Sequence, residues 1–144
     1  MKTKTLGDDS NERVLVFDKG EEIVKALTDF VTAQAISAAH FTAIGALSDV
    51  VLGYFDRGRK DYKKIPLRQQ VEVLSLVGDV ALDGGKPRIH AHIVVGDAEG
   101  RAFGGHLLEG HVWPTLELIL TQSPKQLRRK MDPETGLALL DPAA

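Results

Sequence analysis

The chain has 144 residues, of which 43% are apolar, and a formal net charge of −2. That length suits one domain with a core of its own, and the apolar share excludes disorder across the body of the chain. The absence of cysteine excludes disulfides, thiolate metal sites and a cysteine nucleophile, and the near-neutral charge speaks against a protein that lives by gripping phosphate.

Residues 1–10 are polar and are expected to form a flexible arm ahead of a single domain over 11–144. Met1-Lys2-Thr3-Lys4-Thr5 carries charge with no apolar run behind it, so no secretory signal is expected. No stretch approaches the ~20 apolar residues of a membrane span. A cytoplasmic protein with no membrane contact is the resulting expectation.

A short strand follows at 14–17, stopped by Asp18-Lys19-Gly20. Glu21-Glu22 then open the one long amphipathic helix, in which Ile23, Leu27, Phe30, Val31 and Ile36 recur at helical spacing. Its acidic start suits the positive end of the helix dipole. From about Ala38 the period changes to two. Strands are expected over 41–46, 49–55, 69–82, 88–96, 102–108 and 112–122, separated by Gly- and Asp-rich breaks at Gly45, 56–58, 83–86 and 96–100. One helix followed by a run of strands predicts an α+β fold, one main helix packed on a mainly antiparallel sheet. In the tail, Lys125, Arg128, Arg129 and Lys130 suggest a solvated or interface stripe, 132–136 a turn, and Leu137, Leu139 and Leu140 a last extended segment.

The chemistry is concentrated in His90-Ala91-His92 and Gly104-Gly105-His106. On a strand, side chains at i and i+2 share a face about 6.5–7 Å apart, close enough for two imidazoles to converge on one ion. The segment Gly96-Asp97-Ala98-Glu99-Gly100 has the makings of a hairpin turn that would bring His106 back beside them. Three neutral imidazoles with an open position form the pattern of a catalytic zinc site. A pair of histidines two apart also fits ordinary core or surface packing; the third histidine favours a metal.

Glu72 shares strand parity with Leu74 and Leu76, and is a candidate fourth ligand or general base, or else an edge or interface glutamate. Glu109 and His111 are candidates for outer support of the ligands, or for a solvated rim. Arg57-Gly58-Arg59-Lys60 has the core of a minor-groove hook without its following proline, and fits a basic hairpin turn better. Val112-Trp113-Pro114 with Leu116, Leu118 and Leu120 offers an apolar face for a partner subunit or for the core.

In Ala43-Ile44-Gly45-Ala46-Leu47-Ser48, in Val71-Glu72-Val73-Leu74-Ser75-Leu76-Val77-Gly78, and above all in His90-Ala91-His92-Ile93 through Gly104-Gly105-His106-Leu107-Leu108-Glu109-Gly110, the chain resembles the PPC (plants and prokaryotes conserved) domain family, which carries a PD1-like DNA-binding label. The resemblance covers roughly 13–142. It implies a compact α+β homotrimer whose histidine triad binds zinc or a similar divalent ion. DNA is a partner the label suggests, although no separate hook is appended here. The fold also resembles that of acetolactate decarboxylase, whose zinc ligands again come as a histidine pair plus a downstream histidine. That likeness implies an alternative function, a zinc-dependent lyase or hydrolase acting on a small oxygen-rich ligand.

Overall fold

The computed structural model describes residues 1–7 and 11–143. In chain order it runs β1 (Lys2–Thr5), β2 (Glu12–Phe17), α1 (Ile23–Ala33), β3 (Ala38–Asp56), β4 (Asp61–Leu67), β5 (Val71–Asp83), β6 (Lys86–Gly96), β7 (Ala102–Gln122), β8 (Arg128–Met131) and β9 (Ala138–Asp141). The α+β expectation holds: one helix accompanies a nine-stranded, mainly antiparallel sheet. Residues 1–7 are not a loose arm, because β1 pairs antiparallel with β2 from Lys2 opposite Val16 to Thr5 opposite Arg13. Residues 8–10, also assigned to that arm, lie outside the described residues.

The helix forms where its spacing predicts. Ile23, Leu27 and Val31, four residues apart, are its buried stripe. Glu22 is the N-cap rather than a first-turn residue; its carboxylate accepts hydrogen bonds from the backbone N–H groups of Val24 at 3.0 Å and Lys25 at 2.7 Å. The Gly110 N–H donates to the same carboxylate, which ties the helix start to β7. At the other end Ala35 takes a left-handed conformation (φ 51°), and Ile36 N–H donates to Val31 O at 2.9 Å. That is a Schellman-type stop in which Ile36 and Val31, both fully buried, supply the accompanying apolar contact.

The strands are longer than the breaks suggest. Gly45 does not end a strand; β3 runs through it with shifts of register at Ala43/Gly45, Gly45/Leu47 and Leu47/Asp49. Gly45 has φ 152°, and a Cβ there would collide with the Thr115 carbonyl oxygen, so only glycine fits this bend. The two segments expected over 102–108 and 112–122 are likewise one strand, β7. β4 escapes the alternation rule because five of its seven residues are exposed and it carries charge and a proline, as an edge strand does.

β6 pairs with β5 along one edge and with β7 along the other, while β5 and β7 both pair with β3. The four strands therefore close a ring. Inside it Phe41, Leu47, Leu76, Ile93 and Val95 meet the helix stripe in one apolar cluster. Leu116, Leu118 and Leu120 belong to that core at 0% exposure, so they are not a partner face.

Candidate metal centre

β6 presents His90 and His92 on its outer face, the pattern of i and i+2 on a strand. The hairpin after it is held by Asp97, whose side chain accepts from Glu99 N–H at 3.0 Å and Arg101 N–H at 2.9 Å. The reversal sets His106 of β7 directly opposite His92 of β6. Gly105 is pinched against Gly53 of β3, where a Cβ would lie 2.9 Å from a backbone oxygen, and this close approach keeps the neighbouring His106 at its station.

The three rings form a near-regular triangle, with centroids 5.1 Å apart for His90 and His92, 5.2 Å for His90 and His106, and 5.5 Å for His92 and His106. One nitrogen from each lies within 4.8 Å of the others. Tetrahedral ligation at about 2.0–2.1 Å per nitrogen would put imidazole centroids about 5.2 Å apart, so the rings stand close to the spacing an ion needs. Tyr62 stacks on the far side of His106 at 4.6 Å.

Burial pushes His106 down to about 4, helped by the proximity of His90, His92 and Arg88. His90 is lowered by burial and then by Arg129, with Asp79 opposing. Both imidazoles are thereby kept neutral near pH 7, the state in which a ring nitrogen has a lone pair to give. His106 Nδ1 is moreover buried without a hydrogen-bond partner. An orphaned polar atom of this kind costs about 1–3 kcal/mol, and a metal ion is one group that removes the cost. The donor set and its spacing fit a divalent ion.

Behind the triad stand residues the sequence did not single out for it. Asp79 of β5 lies opposite His90, with Oδ2 3.8 Å from His90 Nδ1. Arg129 donates from Nη2 to Asp79 Oδ1. Its side chain is only 5% exposed, so this member of the basic tail is not part of a solvated stripe. A charged residue inside the apolar run of β5 was the one available signal for Asp79; nothing local marked Arg129 or Tyr62.

Glu72 is not brought to the triad. It is exposed on β5 opposite Gly96, five positions from Val77, the partner of His92, or roughly 17 Å of strand. The bulge between Val73 and Ser75 breaks the parity that linked it to Leu76. Glu109 and His111 also stand apart from the triad: His111 Nδ1 pairs with Asp49 at 2.8 Å and its Nε2 lies 3.9 Å from Glu109. Arg57, Arg59 and Lys60 sit exposed in the β3–β4 turn, where Asp56 accepts from Gly58 N–H at 2.8 Å.

Comparison with known proteins agrees with this architecture. The chain is 34% identical over 120 residues to the bifunctional protein GlmU of Synechococcus sp. (strain JA-3-3Ab), a match that takes in 81% of this chain and 18% of that one. The chain thus spans less than a fifth of the length of the curated relatives it matches. A solved DNA-binding protein of provisional standing from Bacteroides thetaiotaomicron superposes with a TM-score of 0.92 at 28% identity, covering 97% of this chain and 96% of that one. The metal-containing protein of Archaeoglobus fulgidus gives 0.81 at 36% identity, with coverage of 90% and 91%. A Staphylococcus aureus protein similar to alpha-acetolactate decarboxylase shares the fold alone, with a TM-score of 0.57 at 13% identity, covering 77% of this chain and 52% of that one. The family model for the Plants and Prokaryotes Conserved domain matches residues 5–124, and the chain belongs to that family.

Proposed function

We propose that this chain is a metal-binding subunit in which His90, His92 and His106 hold one divalent ion, zinc by the chemistry of three imidazole donors, with a coordination position left for a small oxygen-rich ligand. The observation that carries the reading is the triangle of imidazoles, with centroids 5.1–5.5 Å apart and one nitrogen of each within 4.8 Å of the others. It is supported by the metal-containing Archaeoglobus fulgidus structure, similar over 90% of this chain. When bound, the ion would supply Lewis-acid polarisation of a ligand oxygen. The chain's own residues surround the rings: Asp79 Oδ2 stands 3.8 Å from His90 Nδ1, a carboxylate beside the ligand, and Tyr62 stacks on His106. A zinc-dependent lyase or hydrolase is the enzymatic form of this reading.

Assembly as a homotrimer belongs to the same proposal. It is supported by an exposed apolar band of Ile44, Leu74, Val77, Val94 and Ile119, each 40–61% exposed, on the ring's outer surface. The test of the metal centre is metal analysis of untagged protein beside a His92→Ala variant. Wild type should retain close to one ion per chain through dialysis and the variant essentially none, while both stay folded by circular dichroism. Equal metal in the two would end the proposal.

A second reading, contact with DNA, is favoured by one observation. Between residues 57 and 68 the chain gathers Arg57, Arg59, Lys60, Lys63, Lys64 and Arg68 against a single Asp61, all exposed on one hairpin. If those six cations each met a phosphate, affinity for duplex DNA would fall about 10³-fold over a fourfold rise in salt. A flat salt profile, or no binding near physiological salt, would remove this reading.

A further inference from the structure

We propose that the pocket beside the triad, walled by the β8–β9 hairpin, is a binding site for a small carboxylic acid with a short apolar tail. The pocket has a volume of about 140 Å³ and is lined by His90, His106, Arg88, Arg129, Leu137 and Leu139, among others. A void of about 150 Å³ accepts a guest of benzene size, which sets the ligand at about six heavy atoms.

Its polarity is set by Arg129. One Nη donates to Asp79 and the other to the Ala138 carbonyl at 3.2 Å, which leaves Nε–H buried without an acceptor. Among the described residues just two buried side-chain polar atoms lack a partner, this one and His106 Nδ1, and both belong to residues lining this pocket. A metal ion answers the imidazole nitrogen. It does nothing for a guanidinium N–H, which needs an oxygen with lone pairs to offer. Charge points to an anion: Arg129 and Arg88 line the pocket and no carboxylate does, Asp79 being engaged with Arg129 and the Arg88 guanidinium lying 2.8 Å from Asp83. Leu137 and Leu139 face the pocket with hydrocarbon, which suits an alkyl tail and offers nothing to inorganic phosphate.

Arg129, Leu137 and Leu139 lie beyond residue 124, where the family match ends. The inference rests on the metal-centre reading for the ligand's place beside the ion; the carboxylate's own partner is Arg129, and of the three histidines only His92 does not line the pocket.

The test follows the Arg129 Nε–H resonance of ¹⁵N-labelled protein during titration with butyrate, with butyramide and inorganic phosphate as controls. Butyrate should move the resonance saturably in the wild type, and butyramide should not. Arg129→Met should weaken butyrate binding about tenfold or more. His92→Ala should still respond, so a failed metal analysis and a failed carboxylate site are told apart. An unmoved resonance in the wild type, equal binding of butyramide or phosphate, or full affinity in Arg129→Met would each overturn the proposal. Should Arg129→Met fail to fold, the wild-type titrations decide alone.

Discussion

His111 is the histidine whose titration is coupled to folding through one well-defined partner. The hydrogen bond to Asp49 raises it above its ordinary value. A histidine raised on folding stabilises the protein fully below the unfolded-state pKa, and that stabilisation fades as pH climbs through the folded-state value. Asp49 must also be ionised, which sets the acid limit of the window. The melting temperature of wild type should therefore exceed that of His111→Gln by more at about pH 5.5 than at about pH 9, where the imidazole is neutral in both states. A gap that does not change with pH would mean the pair contributes no charge interaction. His111 also illustrates what a residue-scale reading of the sequence misses. Its place five positions after His106 suggested a role near the ligands, but the strand runs on and carries it to a different carboxylate. His90, His92 and His106 were legible because a period of two and a hairpin turn are local facts. Arg129 was not, because its contact with Asp79 joins positions fifty apart.

Just past the C-terminal end of the helix, Ala35 is held in a left-handed conformation. A non-glycine side chain in the left-handed region costs about 1 kcal/mol, and the two hydrogen bonds of the stop motif hold it there. Ala35→Gly should raise the free energy of unfolding by about 1 kcal/mol in urea titrations, with the slope unchanged. A loss of stability would mean that the flexibility glycine adds to the unfolded chain outweighs the relieved strain. The helix itself was readable from Ile23, Leu27 and Val31, whereas its acidic start had a sharper purpose than dipole compensation: Glu22 caps the helix and holds Gly110. Strand boundaries were the weakest part of the sequence reading. Glycine signals a break by default, yet at Gly45 it permits a bend without one, and only the neighbouring Thr115 reveals which applies.

For the molecule as a whole, the closed ring leaves its apolar band outside, and the proposed trimer gives that band something to cover. Val77→Lys places a charge in the middle of the band, at a position 49% exposed, where a monomer tolerates it. Light scattering at micromolar concentration should give three chains for wild type and one for the variant. A wild-type monomer would contradict the assembly, and a variant that stays trimeric would move the interface elsewhere. Net charge and composition carried no hint of this surface, because alternating residues in β3, β5, β6 and β7 are apolar on both faces.

The hairpin that bears His92 and His106 is also the seam at which the ring of strands shuts. Opening the site is therefore inseparable from unzipping the domain. An ion seated there would slow amide exchange at the distant ends of β3 and β7, where Ala39 pairs with Gln122, as much as in β6, by an amount set by how tightly it binds.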